Sequence, residues 1–262
     1  MGLHRLILLI VAAALPPPDG PLPRDARGVA AQLAYVRPAL RHAATAWDGR
    51  GTPPEPVTLL ALREQRLTLR LADHPSLIRP TLRALPAAER GAVRDEVAAE
   101  RALSRLSAGW PVKHRFRTGA PAPAGRLWSF YGAAHRRFGV SRSLLAAVNL
   151  VESQFGRLRS DSVSGAQGPM QFMPATWAAY GLGGDVQRPR DAILGAANYL
   201  HANGAPADDA RALAHYNPSR LYVDAVSRYA RRMRSAAAFR AYYARQVFVR
   251  GAGHRRRRIT GP

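Results

Sequence analysis

The sequence predicts a mainly α-helical protein: a helical accessory region followed by a second helical region that carries the chemistry. Three observations support this. Apolar residues recur at three- and four-residue intervals over long stretches, as on one face of a helix. In the second half, residues that start and stop helices punctuate the chain at short intervals. Alternating apolar and polar runs, the mark of half-buried strands, are scarce.

Taken in order, residues 1–25 begin with His4 and Arg5, continue as an apolar run from Leu6 to Leu15, and then turn proline-rich. A run of that length suits the core of an export signal and falls short of the roughly 20 residues a membrane span needs. Export to the cell wall, periplasm or exterior is the expectation, with no transmembrane span in the mature form. Residues 26–110 read as the accessory region. Leu59, Leu60, Leu62, Leu67 and Leu71 keep near-helical spacing until Pro75 breaks the run, and "AAERGAVRDEVAAERALSRL" continues the pattern. No chemical motif appears there. Residues 111–125 mix Pro, Gly and Ala without apolar periodicity and read as a linker.

Residues 126–234 then read as a series of short helices. One ends at Gly139. The next takes Ser141 as N-cap and closes at Gly156. "PATWAAYG" runs from Pro174 to Gly181, and a further helix takes Asp191 as cap and Gly204 as stop. "ALAHYNP" and "LYVDAVSRYARRM" complete the set, and residues 235–262 add a C-terminal helix and an arginine-rich tail.

The formal net charge is +22, and Lys113 is the only lysine. Such a field attracts any polyanion, whether nucleic acid, anionic lipid or acidic wall polymer. The absence of cysteine excludes disulfides, thiolate metal sites, a cysteine nucleophile and lipid attachment at an N-terminal cysteine. His135, His201 and His215 stand at scattered single positions. Asp185 lies in a turn without the spaced oxygen ligands of a calcium loop. No metal and no cofactor are expected.

One residue is out of place in this arginine-rich half. Glu152 is the only glutamate after Glu100, and it shares a helix face with Leu144, Leu145, Val148, Val151 and Phe155. A carboxyl drawn out of water there resists ionisation and becomes a candidate proton donor near neutral pH. The alternative reading is a buried partner for an arginine. Nearby, Met170, Gln171, Phe172, Met173 and Trp177 place apolar faces beside an amide, as a sugar-binding cleft requires.

The strings "ESxFG", "SGAxGxMQFMPxTW", "DAIxxAANYL" and "ALxxYNP", in that order between Trp128 and Met233, resemble the lytic transglycosylases of the lysozyme-like superfamily. The fold this implies is a lysozyme-like helical catalytic domain. The activity it implies is cleavage of the β-1,4 bond between N-acetylmuramic acid and N-acetylglucosamine in peptidoglycan glycan strands. The resemblance makes Glu152 the catalytic acid and then base, with Ser153, Met170, Gln171, Phe172, Tyr216 and Asn217 as substrate-binding residues. Pro218 departs from the glycine that often follows the Tyr-Asn pair. No second glutamate is at hand, and Asp161, Asp185 and Asp191 sit in a loop, a turn and a cap. The implied scheme therefore uses the substrate's acetamido group and C6 hydroxyl, forming a 1,6-anhydro end, as in substrate-assisted enzymes.

Other readings remain open at this point. A lysozyme-type hydrolase uses the same acid with water as nucleophile. A non-catalytic peptidoglycan-binding protein keeps the cleft without turnover. The charge and the run Arg255 to Arg258 suggest a nucleic-acid binder, but sequence-blind phosphate contacts are expected of any arginine-rich protein, so no specific nucleic-acid partner is assigned. Anionic cell-wall polymers, held by the arginine-rich surface and tail, are the more economical partners.

Overall fold

A computed structural model describes residues 20–108, 116–250 and 256–261. Most of the expected leader, residues 111–115 of the expected linker and Arg255 of the tail lie outside the described residues. Among the described residues the chain forms eleven α-helices and one short hairpin. The mainly α class is therefore as the apolar spacing implied.

The N-terminal helices are α1 (Ala26–Ala46), α2 (Glu55–Asp73), α3 (Ile78–Ala84) and α4 (Ala87–Leu106). Asp25 caps α1 by accepting a bond from the Gly28 amide at 2.9 Å. Pro54 and Pro86 precede α2 and α4, where a missing amide hydrogen costs nothing. Beyond them come α5 (Ala124–Phe138), α6 (Arg142–Ser153), α7 (Pro174–Tyr180), α8 (Pro189–Ala202), α9 (Asp209–Tyr216), α10 (Arg220–Arg232) and α11 (Ala236–Tyr243). β1 (Phe248–Arg250) and β2 (Arg256–Arg258) pair antiparallel, a hairpin too short to leave an alternating signature in the sequence.

Two boundaries differ from the sequence expectation. Asp191 is not a cap: α8 starts at Pro189, whose fixed φ suits a first helical position, and Asp191 sits in the first turn, where its carboxylate accepts from the Asp185 amide at 3.3 Å. The helix of Glu152 ends at Ser153 instead of reaching Gly156, because Gln154 and Phe155 both turn left-handed.

A small apolar cluster joins α1, α2 and α4 through Val29, Leu33, Leu67, Leu71 and Val93. The larger core is shared. Leu40, Trp47 and Leu60 from the N-terminal helices pack in one cluster with Tyr131, Leu144, Val148, Ile193, Leu213 and Phe239. The most extensive helix pairing in the molecule is α4 on α10, with α6 on the other flank of α10. The strip after Arg117 is also held: Thr118 bridges Leu158, and the Gly119 amide donates to Arg157 O at 3.0 Å.

Charge stitches the N-terminal helices to the end of the chain. Arg37 of α1 binds Glu64 of α2 and both Glu89 and Glu96 of α4, while Arg245, just past α11, binds Glu64 at 2.6 Å and Glu96 at 3.0 Å. All five side chains are buried. Tyr242 donates to Glu96 at 2.6 Å, completing the set of partners that buried charges require. Burial pushes the Glu64 carboxyl up to about 7 against the pull of Arg245. For Glu96 burial acts in the same upward sense, but Arg37 and Arg245 overcome it and hold that carboxyl well below the usual range.

The tail arginines are less free than their sequence suggests. Arg256 binds Asp73 at 3.0 Å and Glu100 at 3.6 Å, and only Arg257 of Arg256–Arg258 is exposed.

Candidate active site

Helix α6 is the spine of the site. Gly139 ends α5 in the left-handed conformation, and Ser141 caps α6 by accepting from the Leu144 amide at 3.2 Å. Leu144, Leu145 and Val148 are buried, which fixes the roll of the helix and brings Glu152, one residue from its end, to the margin of the core.

Three polar groups hold the following loop beneath that end. Asn149 donates from Nδ2 to Pro169 O at 2.7 Å, Ser153 Oγ donates to the same carbonyl at 2.5 Å, and Tyr131 donates to Asn149 Oδ1 at 2.7 Å. Ser153 Oγ also accepts from the Gly156 amide at 2.8 Å, tying down the left-handed turn. The loop itself closes through paired bonds between Gln167 and Phe172, 2.8 and 2.9 Å long. Gly168 at its tip has φ +72°, and a Cβ there would lie 2.1 Å from Val186 O, so only glycine lets the two backbones meet.

The second wall comes from α9 and α10. Tyr222 donates its phenolic hydrogen to Glu152 Oε1 at 2.6 Å. Tyr216 stacks on Tyr222 with the rings 5° from parallel and centroids 6.4 Å apart, and donates to Met170 O at 2.7 Å. Glu152 keeps part of its surface open, yet burial pushes its carboxyl up to about 7 from the usual 4.5, with the Tyr222 bond pulling the other way. Among the described residues, no other charged group contributes to that shift. A carboxyl that titrates near neutral pH, with a phenol ready to stabilise its anion, can both give and take a proton.

The expected site residues fall into two groups. Gln171, Tyr216 and Asn217 are half-buried and keep part of their surface open to solvent. Gln171 adopts φ 49° and bonds from Nε2 to Gly168 O at 2.9 Å, and Asn217 closes α9 while its Oδ1 accepts from the Ser219 amide at 3.1 Å. Ser153, Met170 and Phe172 were expected to contact substrate, but they are 0%, 0% and 3% exposed. The physical reason is clear for each. Ser153 is consumed in holding the loop, Met170 fills the core and offers only its carbonyl to Tyr216, and Phe172 packs edge-on against Trp177 at 5.1 Å and Tyr216 at 6.0 Å. They stand behind the site as its backing. Tyr222 escaped the sequence reading. Its signal was its place with Ala225, Val226 and Tyr229 on the buried face of a strongly amphipathic helix, which looks like ordinary core. Among the described residues no three His, Asp or Glu side chains converge as a metal site.

Comparison with known families decides the class. Residues 129–238 match the family model described as Transglycosylase SLT domain. This segment is a transglycosylase SLT domain. No curated protein and no solved structure gives a match. The SLT domain takes in Glu152, the 167–172 loop, the stacked Tyr216–Tyr222 pair and α10, and leaves α1 to α4 and Arg245 outside its bounds. Members of the SLT family are lytic transglycosylases, lyases acting on peptidoglycan, and residues 129–238 carry a domain of that class. SLT domain proteins act on cell-wall peptidoglycan, a substrate that lies outside the cytoplasm. No helix among the described residues is long and apolar enough to cross a membrane.

Proposed function

We propose that Glu152 cleaves the β-1,4 bond between N-acetylmuramic acid and N-acetylglucosamine without water, leaving 1,6-anhydro-muramic acid ends. The observation that carries this reading is one buried carboxyl with its pKa lifted to about 7, bonded to a phenol and with no second carboxylate coupled to it among the described residues. In the first step Glu152 gives its proton to the glycosidic oxygen, the C1–O bond breaks, and the substrate's acetamido oxygen stabilises the positive charge at C1. In the second, the Glu152 carboxylate accepts the C6 hydroxyl proton as O6 attacks C1 and closes the anhydro ring. The acid is thereby returned to its starting state. Tyr222 stabilises the anion between the steps, and Gln171, Tyr216 and Asn217 offer the polar edge of the cleft to the sugar.

Residues 1–25 would export the enzyme as a cleaved signal, and the surface arginines would hold it against anionic wall polymers. With Arg256 bound to Asp73 and Glu100, that attraction falls to the rest of the basic surface more than to the tail.

Mass spectrometry of muropeptides released from purified peptidoglycan tests the reaction. Anhydro-muramic ends from the native protein and none from Glu152→Gln support it. Reducing ends would make it a hydrolase, and undiminished release by Glu152→Gln would remove Glu152 from the reaction.

A further inference from the structure

Helix α10 carries Tyr222 to Glu152, and a polar seam from outside the SLT match holds that helix. Tyr229 donates to Glu100 of α4 at 2.7 Å, and Asp95 of α4 accepts from Arg228 at 2.9 Å and from Arg231 at 3.1 Å. We infer that Asp95 and Glu100 are positioning residues for the reaction, setting the roll and axial position of α10 so that the Tyr222 hydroxyl reaches Glu152. The inference rests on the proposed function and gives α4, whose sequence carries no chemical motif, a part in it.

Seven positions separate Tyr222 from Tyr229, close to two full turns at 3.6 residues per turn, so both lie on one buried face, about 10 Å apart along the axis. One phenol bonds a carboxylate of α6 and the other a carboxylate of α4. Bonds from O–H to O hold over only about 2.5–3.0 Å, so α10 cannot roll or slide far without losing both. Apart from the Tyr222 bond, the side-chain bonds from α10 to another helix among the described residues all run to α4. Apolar packing is non-directional and leaves a helix some freedom to turn, which directed bonds remove. Asp224, on α10 itself, holds Arg228 Nε at 2.9 Å and so aims the guanidinium at Asp95.

The α4 carboxylates reach Glu152 only through α10. Among the described residues neither contributes to the raised Glu152 carboxyl, which responds to burial and to Tyr222, with Tyr216 as the other titratable group beside it. The groups facing Tyr229 are Glu100, Arg245 and Tyr242. This separates two effects by sign. Removing negative charge from α4 favours the Glu152 anion, whereas loosening the Tyr222 bond disfavours it.

The test uses the full chain with three changes. Asp95→Ala/Glu100→Ala removes the seam, Asp95→Asn/Glu100→Gln keeps the acceptor oxygens without their charge, and Tyr229→Phe keeps the ring without its hydroxyl. Muropeptide release is followed across pH, and the Glu152 carboxyl is titrated by carbon-13 NMR of glutamate-labelled protein, its signal assigned by its absence from Glu152→Gln. The alanine pair is expected to slow release roughly tenfold and Tyr229→Phe about threefold. Both are expected to move the alkaline limb and the Glu152 titration to higher pH. The amide pair is expected to stay within about twofold of the native rate and to leave the titration at or below its native position. In a Tyr222→Phe background the alanine pair is expected to add less than about twofold, because the bond it acts through is already gone. A titration that stays put or moves to lower pH in the alanine pair, an amide pair as slow as the alanine pair, or an undiminished tenfold loss in the Tyr222→Phe background would overturn the inference. If the alanine pair does not fold, Tyr229→Phe decides by the same readings. A native protein that releases nothing defeats the proposed function, while the NMR titration still decides whether α4 positions Tyr222.

Discussion

The Tyr222 hydroxyl and Glu152 Oε1 are 2.6 Å apart although the two residues come from helices separated by the whole loop and α7 to α9. The bond favours the ionised carboxyl, while burial favours the neutral one by more, so Glu152 rests near pH 7 with a stabiliser for its anion already in place.

Tyr222→Phe removes the hydroxyl and keeps the ring stacked on Tyr216. Loss of a hydrogen bond to a charged group costs about 1.5–3 kcal/mol. The release rate should therefore fall roughly 10- to 100-fold. Because the lost bond favoured the anion, the Glu152 carboxyl rises further, and the alkaline limb of the pH–rate profile moves to higher pH. A profile that stays put or moves down would show that the phenol does not act on the carboxyl.

The same carboxyl links stability to pH. Its folded pKa of about 7 lies above the ordinary 4.5, so between those values the folded protein holds a proton that the unfolded chain has released. Stability from this group is greatest below about pH 4.5 and is lost as pH rises through 7, by up to ~3 kcal/mol less the relief from its solvent-open side. Glu152→Gln cannot titrate. Its melting temperature should gain on the native protein at pH 8 relative to pH 5; an unchanged difference would mean an unperturbed carboxyl.

The elements that could be read from the sequence are those whose cause is local. The α4 range follows from an uninterrupted apolar period, α7 from Pro174 and Gly181, and the start of α6 from Ser141. Glu152 stood out because a lone acid on an apolar face has no local reason to be there. What escaped depends on contacts distant in sequence. Ser153 at the end of α6 bonds a carbonyl sixteen residues on, Tyr222 meets Glu152 seventy residues on, and Arg245 joins carboxylates of α2 and α4. Met170 and Phe172 sit in a motif that reads as cleft because motif spacing carries no information on which way a side chain faces.

Gly168 shows how narrow the tolerance of the site is. In Gly168→Ala the left-handed backbone alone costs about 1–2 kcal/mol, and the clash with Val186 O adds to it. Relief requires the 167–172 loop to move, which draws Pro169 O away from Asn149 and Ser153 and Met170 O away from Tyr216. A lower melting temperature together with reduced release at 25 °C is expected. Full release with only a lower melting temperature would show that the loop does not set the position of Glu152.

The buried cage of Arg37, Arg245, Glu64, Glu89 and Glu96 makes a prediction about the whole molecule. Arg37→Met leaves three buried carboxylates with one buried guanidinium fewer, and breaking such a set by removing one partner costs about 3–5 kcal/mol. In a chain of this size that corresponds to a melting temperature lower by roughly 10 °C. The cage joins α1, α2 and α4 to the segment after α11, and the larger core runs through both halves, so the N-terminal helices have no separate way to come apart. One cooperative transition, seen alike by near-ultraviolet and far-ultraviolet circular dichroism, is therefore expected in both the native protein and the variant. Two resolved transitions in Arg37→Met would show the N-terminal helices unfolding alone and would refute the single shared core.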